Sequence, residues 1–182
     1  MESDLSLAIL GLLAVAPMSG YSLRKVFLTT ALKAFSGSPG AIYPALRRLE
    51  SEGLVEGTVE QKDTLRPRKV FGLTRRGREV LADSLSRPVG RKDVIWGMDR
   101  LLLRFSFMSG LLSRERTLEF LNALASHTED YLKELEAEYK TMGSGRSSFT
   151  GRAALEQGVE SYRTTARWAR KTLDALKKRA SL

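Results

Sequence analysis

The 182-residue chain has no cysteine and one histidine, His127. The first absence excludes disulfides, thiolate nucleophiles and cysteine-ligated zinc. With no placed serine or acid beside it, His127 reads as a helix-surface residue. A Walker loop, HExxH, GxSxG and a spaced carboxylate pair are all missing, so no enzymatic activity and no cofactor are expected. Long apolar runs are missing too: residues 5–16 are too few to span a bilayer. The opening MESD is acidic where a signal peptide is basic, so a cytoplasmic protein is the expectation. There is no repeat at solenoid period and no long low-complexity tract.

What the chain does have is positive charge. Its formal net charge is +9 and its pI about 10.0, which points to an anionic partner, a nucleic acid or a membrane surface. Residues 1–92 carry 15 Lys and Arg against 9 Asp and Glu, whereas residues 93–182 carry 15 against 12. Seven basic residues fall between positions 62 and 78 with a single acid, Asp63. From charge alone, a solvated basic loop and an anion-gripping tip fit equally well.

Residues 5–15 are apolar on nearly every side, with Ser3 or Asp4 placed to cap them. Such a helix is buried on more than one face, with core on one side and a partner subunit as one occupant of the other. Pro17 stops it, and Ser19 and Gly20 open a second helix expected to run to about Ala34. A third helix is expected from Ser38 as N-cap and Pro39 at the first position. Ile42, Leu46 and Leu49 form its apolar stripe, while Tyr43, Arg47 and Glu50 share another face. Pro44 should kink or loosen the first turn, because its ring meets the carbonyl of Gly40. Gly53 ends the helix in the left-handed manner.

Residues 54–59 and 69–73 read as a hairpin with its tip at 61–68. Thr74 then caps a helix to about Leu85. Its first turn holds Arg75, Arg76 and Arg78, where the helix dipole disfavours cations; a phosphate neighbour would explain that placement. Residues 87–92 look like a linker, and 94–108 like one strongly apolar helix. Beyond it, Leu118, Leu121, Ala125, Thr128, Leu132, Leu135, Tyr139 and Met142 recur at alternating steps of three and four. After the Gly/Ser-rich turn 143–151, Leu155, Val159, Tyr162, Ala166, Ala169, Leu173, Leu176 and Ala180 do the same. These are two heptad-like stripes on long helices, fit for an antiparallel pair within one chain or for a pair that also packs on another subunit.

The runs 7–25 (LAILGLLAVAPMSGYSLRK), 39–55 (PGAIYPALRRLESEGLV) and 66–81 (RPRKVFGLTRRGREVL) resemble the PadR family of bacterial transcriptional regulators. They are similar to its first two helices, its recognition helix, and its wing with the following helix. The second half resembles the family's longer branch in layout. The resemblance implies a mainly α fold: a winged helix-turn-helix DNA-binding domain at 1–87 and an antiparallel long-helix dimerisation domain, with an effector role, at 93–182. It implies a DNA-binding regulator, a repressor in first reading, that meets an inverted-repeat operator as a homodimer. The dimer would form through the C-terminal helices, with the first helix as a further contact.

On that map Tyr43 and Arg47 face the DNA, Arg47 having a surface salt bridge to Glu50 as its alternative. Ser38 and Gly40 approach a phosphate, although Ser38 serves equally as a plain cap. Tyr21 resembles a phosphate-touching position and could instead be a core tyrosine. Arg66, Arg68 and Lys69, stiffened by Pro67, form the wing tip and supply unspecific affinity. Some family members bind flat hydrophobic molecules, which makes Trp96 and Phe105 candidates for an effector site; the alternative is that they pack in the core or an interface. The rival reading is a non-DNA interaction protein that uses the C-terminal helical hairpin, with the winged helix as a protein-binding platform.

Overall fold

The computed structural model describes residues 3–35, 39–60, 67–142 and 148–179. Contacts divide the chain into two compact units: Met1–Leu85 with Leu103–Leu111, and Ser86–Leu102 with Leu112–Leu182. Among the described residues no helix is long and apolar enough to cross a membrane.

The first unit begins with α1 (Asp4–Val15), capped by Ser3, whose hydroxyl accepts from the Ser6 amide. Leu7, Ala8, Ile9 and Leu10 are wholly buried. The all-round apolarity is thus satisfied largely inside the unit, against α3 and the sheet. A two-residue strand, β1 (Met18–Ser19), leads into α2 (Gly20–Thr29). This helix ends earlier than the apolar pattern suggests. The Thr29 and Thr30 hydroxyls donate to the Lys25 and Val26 carbonyls, and Thr30 turns extended, so residues 31–35 form a 3-10 turn instead.

A 3-10 turn at Pro39–Ala41 precedes α3 (Ile42–Ser51). Because the α-helix starts at Ile42, Pro44 sits in its first turn. No intrahelical partner exists there for the missing N–H, and the loosened entry absorbs the ring. Ile42, Ala45, Leu46 and Leu49 are buried, as their spacing requires. At the other end Gly53 takes φ +70°, and the Gly53 and Leu54 amides donate to the Glu50 and Leu49 carbonyls. The hairpin β2 (Val55–Glu60) and β3 (Arg68–Leu73) follows, with Val55 opposite Leu73 and Glu60 opposite Arg68. The sheet order is β1-β3-β2, antiparallel throughout. It is followed by α4 (Arg75–Ser86), capped by Thr74, whose hydroxyl accepts from Gly77.

The expected single helix over 94–108 is two: α5 (Arg91–Trp96) and α6 (Met98–Ser106). Gly97 lies outside helical geometry; its amide closes α5 on the Asp93 carbonyl and its carbonyl opens α6 with Leu101. Glycine breaks a helix readily because it gives up most backbone freedom on entering one. The expected linker is also shorter, since Arg91 and Lys92 belong to α5 and Val89 is buried.

In the second unit α7 (Arg114–Met142) and α8 (Phe149–Lys178) pair antiparallel. Arg114 donates to the last carbonyls of α8, Glu129 meets Arg170 midway, and Tyr139 meets Arg152 at the far end. The heptad stripes form the seam: Leu121, Ala125, Thr128, Ala169 and Leu173 are buried, small residues alternating with leucines. Tyr162 stacks edge-on with Tyr131 at 4.8 Å and donates to the Val94 carbonyl, which ties α8 to α5.

Arg170 holds Glu129 with two hydrogen bonds, of 2.8 and 2.6 Å, and these keep its carboxyl below the ordinary carboxylate range. A lowered folded pKa adds stability that is present above the unfolded value and lost as pH falls through the folded one. Glu129→Gln should therefore melt below the parent at neutral pH, by about 1 kcal/mol or less because the pair is partly solvated. That gap should close in acid; thermal melts as a function of pH check it.

Candidate nucleic-acid interface

With its apolar stripe committed to the core, α3 turns Tyr43 and Arg47 outward. Both are exposed, Tyr43 at 45%. Arg47 forms no ion pair with Glu50 or with any other side chain among the described residues, because Glu50 is engaged by Lys69. Tyr21, on the first turn of α2, is 69% exposed and so is not a core tyrosine.

Tyr21 and Tyr43 come together through Gly20. A Cβ at that glycine would lie 2.6 Å from Cε1 of Tyr43, so the ring rests on the bare backbone beside Tyr21. Gly40 lies exposed in the turn leading into α3. Ser38 and Arg66 lie outside the described residues.

On the hairpin, Pro67 and Arg68 are exposed. Arg68 faces Glu60 across the strands without forming an ion pair among the described residues. Lys69 is placed differently from Arg68. It lies within β3 opposite Val59, and its ammonium sits on Glu50 at 2.8 Å and 5.2 Å from the Phe71 ring centroid. The strand pattern over 69–73 already included it, whereas the family resemblance grouped it with the wing tip; in the structure its side chain turns towards α3.

Other cations divide the same way. Arg48 is held by Ser6 and Glu52, which pins α3 to the start of α1. Arg75 pairs with Glu79 along α4, whereas Arg76 and Arg78 are exposed and unpaired among the described residues. Sequence reasoning passed over Arg24 and Lys25, exposed on α2, and Gly20, the seat of Tyr43. The Gly-Tyr step into α2 was the available signal for that seat.

The site is therefore an open surface with two exposed tyrosines and with arginines unpaired among the described residues. Such a surface is suited to a long polyanion. Residues 9–83 match the Transcriptional regulator PadR-like family, and residues 99–177 match the Virulence activator alpha C-term family.

Over residues 9–83 the chain is PadR-like, of a family of transcriptional regulators. It is 28% identical over 138 residues to the Negative transcriptional regulator PadR of Bacillus subtilis, covering 76% of this chain and 74% of that protein. Among solved structures it is similar to Bacillus subtilis PadR in complex with operator DNA: 25% identity, 94% of this chain, 98% of that one, TM-score 0.45. A PadR-like transcriptional regulator from Bacillus cereus aligns at 28% identity over 97% of this chain and 99% of that one, with TM-score 0.42. The matched family is one of transcriptional regulators, not of enzymes.

The two effector candidates lie in different units of this regulator. Trp96, at the end of α5 in the second, is 86% exposed and is not core packing. Phe105, on α6, is half-buried in the first. A cleft of about 280 Å³ between α7 and α8 is lined by Glu136, Tyr139, Lys140, Glu156, Val159, Glu160 and Arg163, and by neither candidate.

The hairpin base that carries this surface depends on Gly77. A Cβ there would fall 2.0 Å from the Leu54 carbonyl oxygen, a backbone atom with no room to yield. Gly77→Ala should destabilise the N-terminal unit by about 2–3 kcal/mol, the upper part of the overpacking range, as read by chemical denaturation.

Proposed function

We propose that this PadR-like regulator binds double-stranded DNA through α3, the start of α2 and the hairpin, and represses transcription as a homodimer. The observation that carries the reading is the unpaired, outward Arg47 beside Tyr43 on a helix whose opposite face is fully committed to the core. An exposed helix of this kind fits the major groove, and a guanidinium free of protein partners is available for a guanine edge. Tyr21, Tyr43 and Gly40 would meet phosphates, as would Ser38 and Arg66 of the neighbouring segments. Arg68 would add a backbone contact from the hairpin.

Repression is supported by the similarity to a negative regulator. Dimerisation is supported by the two long heptad helices, α7 and α8, and would place the dimer's two reading helices, one from each chain, about 34 Å apart on an inverted repeat. Because α1 spends most of its apolar surface within its own unit, the C-terminal helices are the favoured interface. In that division of labour residues 1–87 bind DNA, and residues 93–182 dimerise and carry any response to a hydrophobic effector, for which Trp96 and Phe105 are separate candidates. A cytoplasmic location goes with that role.

Arg47→Ala should lower discrimination for the cognate site by about 1–3 kcal/mol and leave unspecific binding nearly intact. Competition mobility shifts on the DNA upstream of the protein's own gene measure this, and equal loss on all sequences would reassign Arg47 to the backbone. Sedimentation at micromolar concentration should show a dimer; a monomer throughout would remove the half-site geometry.

A further inference from the structure

We infer that Glu50 and Lys69 are positioning residues: their ion pair locks the hairpin to α3 and screens a carboxylate that would otherwise face the DNA. This rests on the DNA-binding reading above. Three observations converge on it. Lys69 Nζ lies 2.8 Å from Oε1 and 2.9 Å from Oε2 of Glu50, so the lysine grips both carboxylate oxygens. Gly57, on the neighbouring strand, leaves the passage open: a Cβ there would lie 2.0 Å from Lys69 Cε and 2.9 Å from Glu50 Oε1. Finally, Glu50 shares the helix face of Tyr43 and Arg47, at successive steps of four and three residues.

An exposed ion pair contributes little to stability, so stability alone is a weak reason for this arrangement. Its geometry joins the last turn of the reading helix to the strand that carries Arg68. Its electrostatics matter as much. A bare carboxylate on the reading face would repel phosphates, and the ammonium cancels that charge. Lys69 thereby differs in role from Arg68, its unpaired neighbour, which is free to replace a counterion on DNA.

The distinction is measurable in the salt dependence of binding. Each phosphate neutralised adds about one unit to the slope of log affinity against log salt. Fluorescence-anisotropy titrations of a mixed-sequence duplex over a range of KCl concentrations should show Arg68→Ala lowering that slope by about one. Lys69→Ala should weaken binding several-fold with the slope unchanged. The exchange Glu50→Lys with Lys69→Glu should restore affinity lost in Lys69→Glu alone. Gly57→Ala, which blocks the passage, should behave as Lys69→Ala does. A slope lowered by about one in Lys69→Ala, or an exchange no better than Lys69→Glu alone, would overturn the assignment and make Lys69 a phosphate contact. No salt-dependent binding by the parent protein would instead defeat the DNA reading itself, and this inference with it.

Discussion

The N-terminal unit turns on one backbone carbonyl, that of Leu54. It accepts the Thr74 amide at 3.1 Å and lies 3.1 Å from the Thr74 hydroxyl, which also reaches the Gly53 carbonyl at 2.8 Å. Gly77 is pressed so closely on the same oxygen that no side chain fits. The end of α3, the start of the hairpin and the first turn of α4 are thus fastened at a single point. The outward residues of α3 and of the strands β2 and β3 extend from that knot. Gly53, with its positive φ, is what lets the chain leave α3 at the right angle to form it.

Once those elements are fastened, the cations of the unit separate into two groups. Arg48 and Lys69 are spent within the protein, one on Ser6 and Glu52, the other on Glu50. Arg47 and Arg68 remain unpaired among the described residues, on adjoining pieces of structure. A count of basic residues cannot make this separation, yet an affinity built on counterion release depends only on the free ones. The surplus charge of the chain is therefore a poor guide to its contacts, and the ion-pair pattern a better one.

The parts legible in the sequence were those with a period. The stripe of Ile42, Leu46 and Leu49 is buried, and the heptad runs on α7 and α8 are buried or half-buried up to Leu176, Ala180 lying outside the described residues, because burial repeats with the helix turn. The hairpin and the cap at Thr74 were legible from turn chemistry. What escaped was either too short or too distant. β1 has two residues and hence no period. The break at Gly97 rests on one glycine inside an otherwise apolar run. Nineteen positions separate Lys69 from Glu50 in the chain, and only the pairing of β2 with β3 brings the lysine to the helix. Pro44 fits because α3 starts at Ile42, which puts the proline in the first turn.

The second unit has a simpler logic, with small residues such as Ala125, Ala166 and Ala169 setting the closeness of α7 and α8 and arginine–glutamate pairs lining the seam. The claim that joins the whole account is that DNA lies on the surface of α3, the start of α2 and the hairpin. Amide chemical-shift mapping of the full-length protein with a DNA duplex tests it most directly. The account predicts that the largest changes fall on Tyr21, Tyr43, Arg47 and Arg68 and their neighbours. Changes confined to α7 and α8, or none at all, would contradict it.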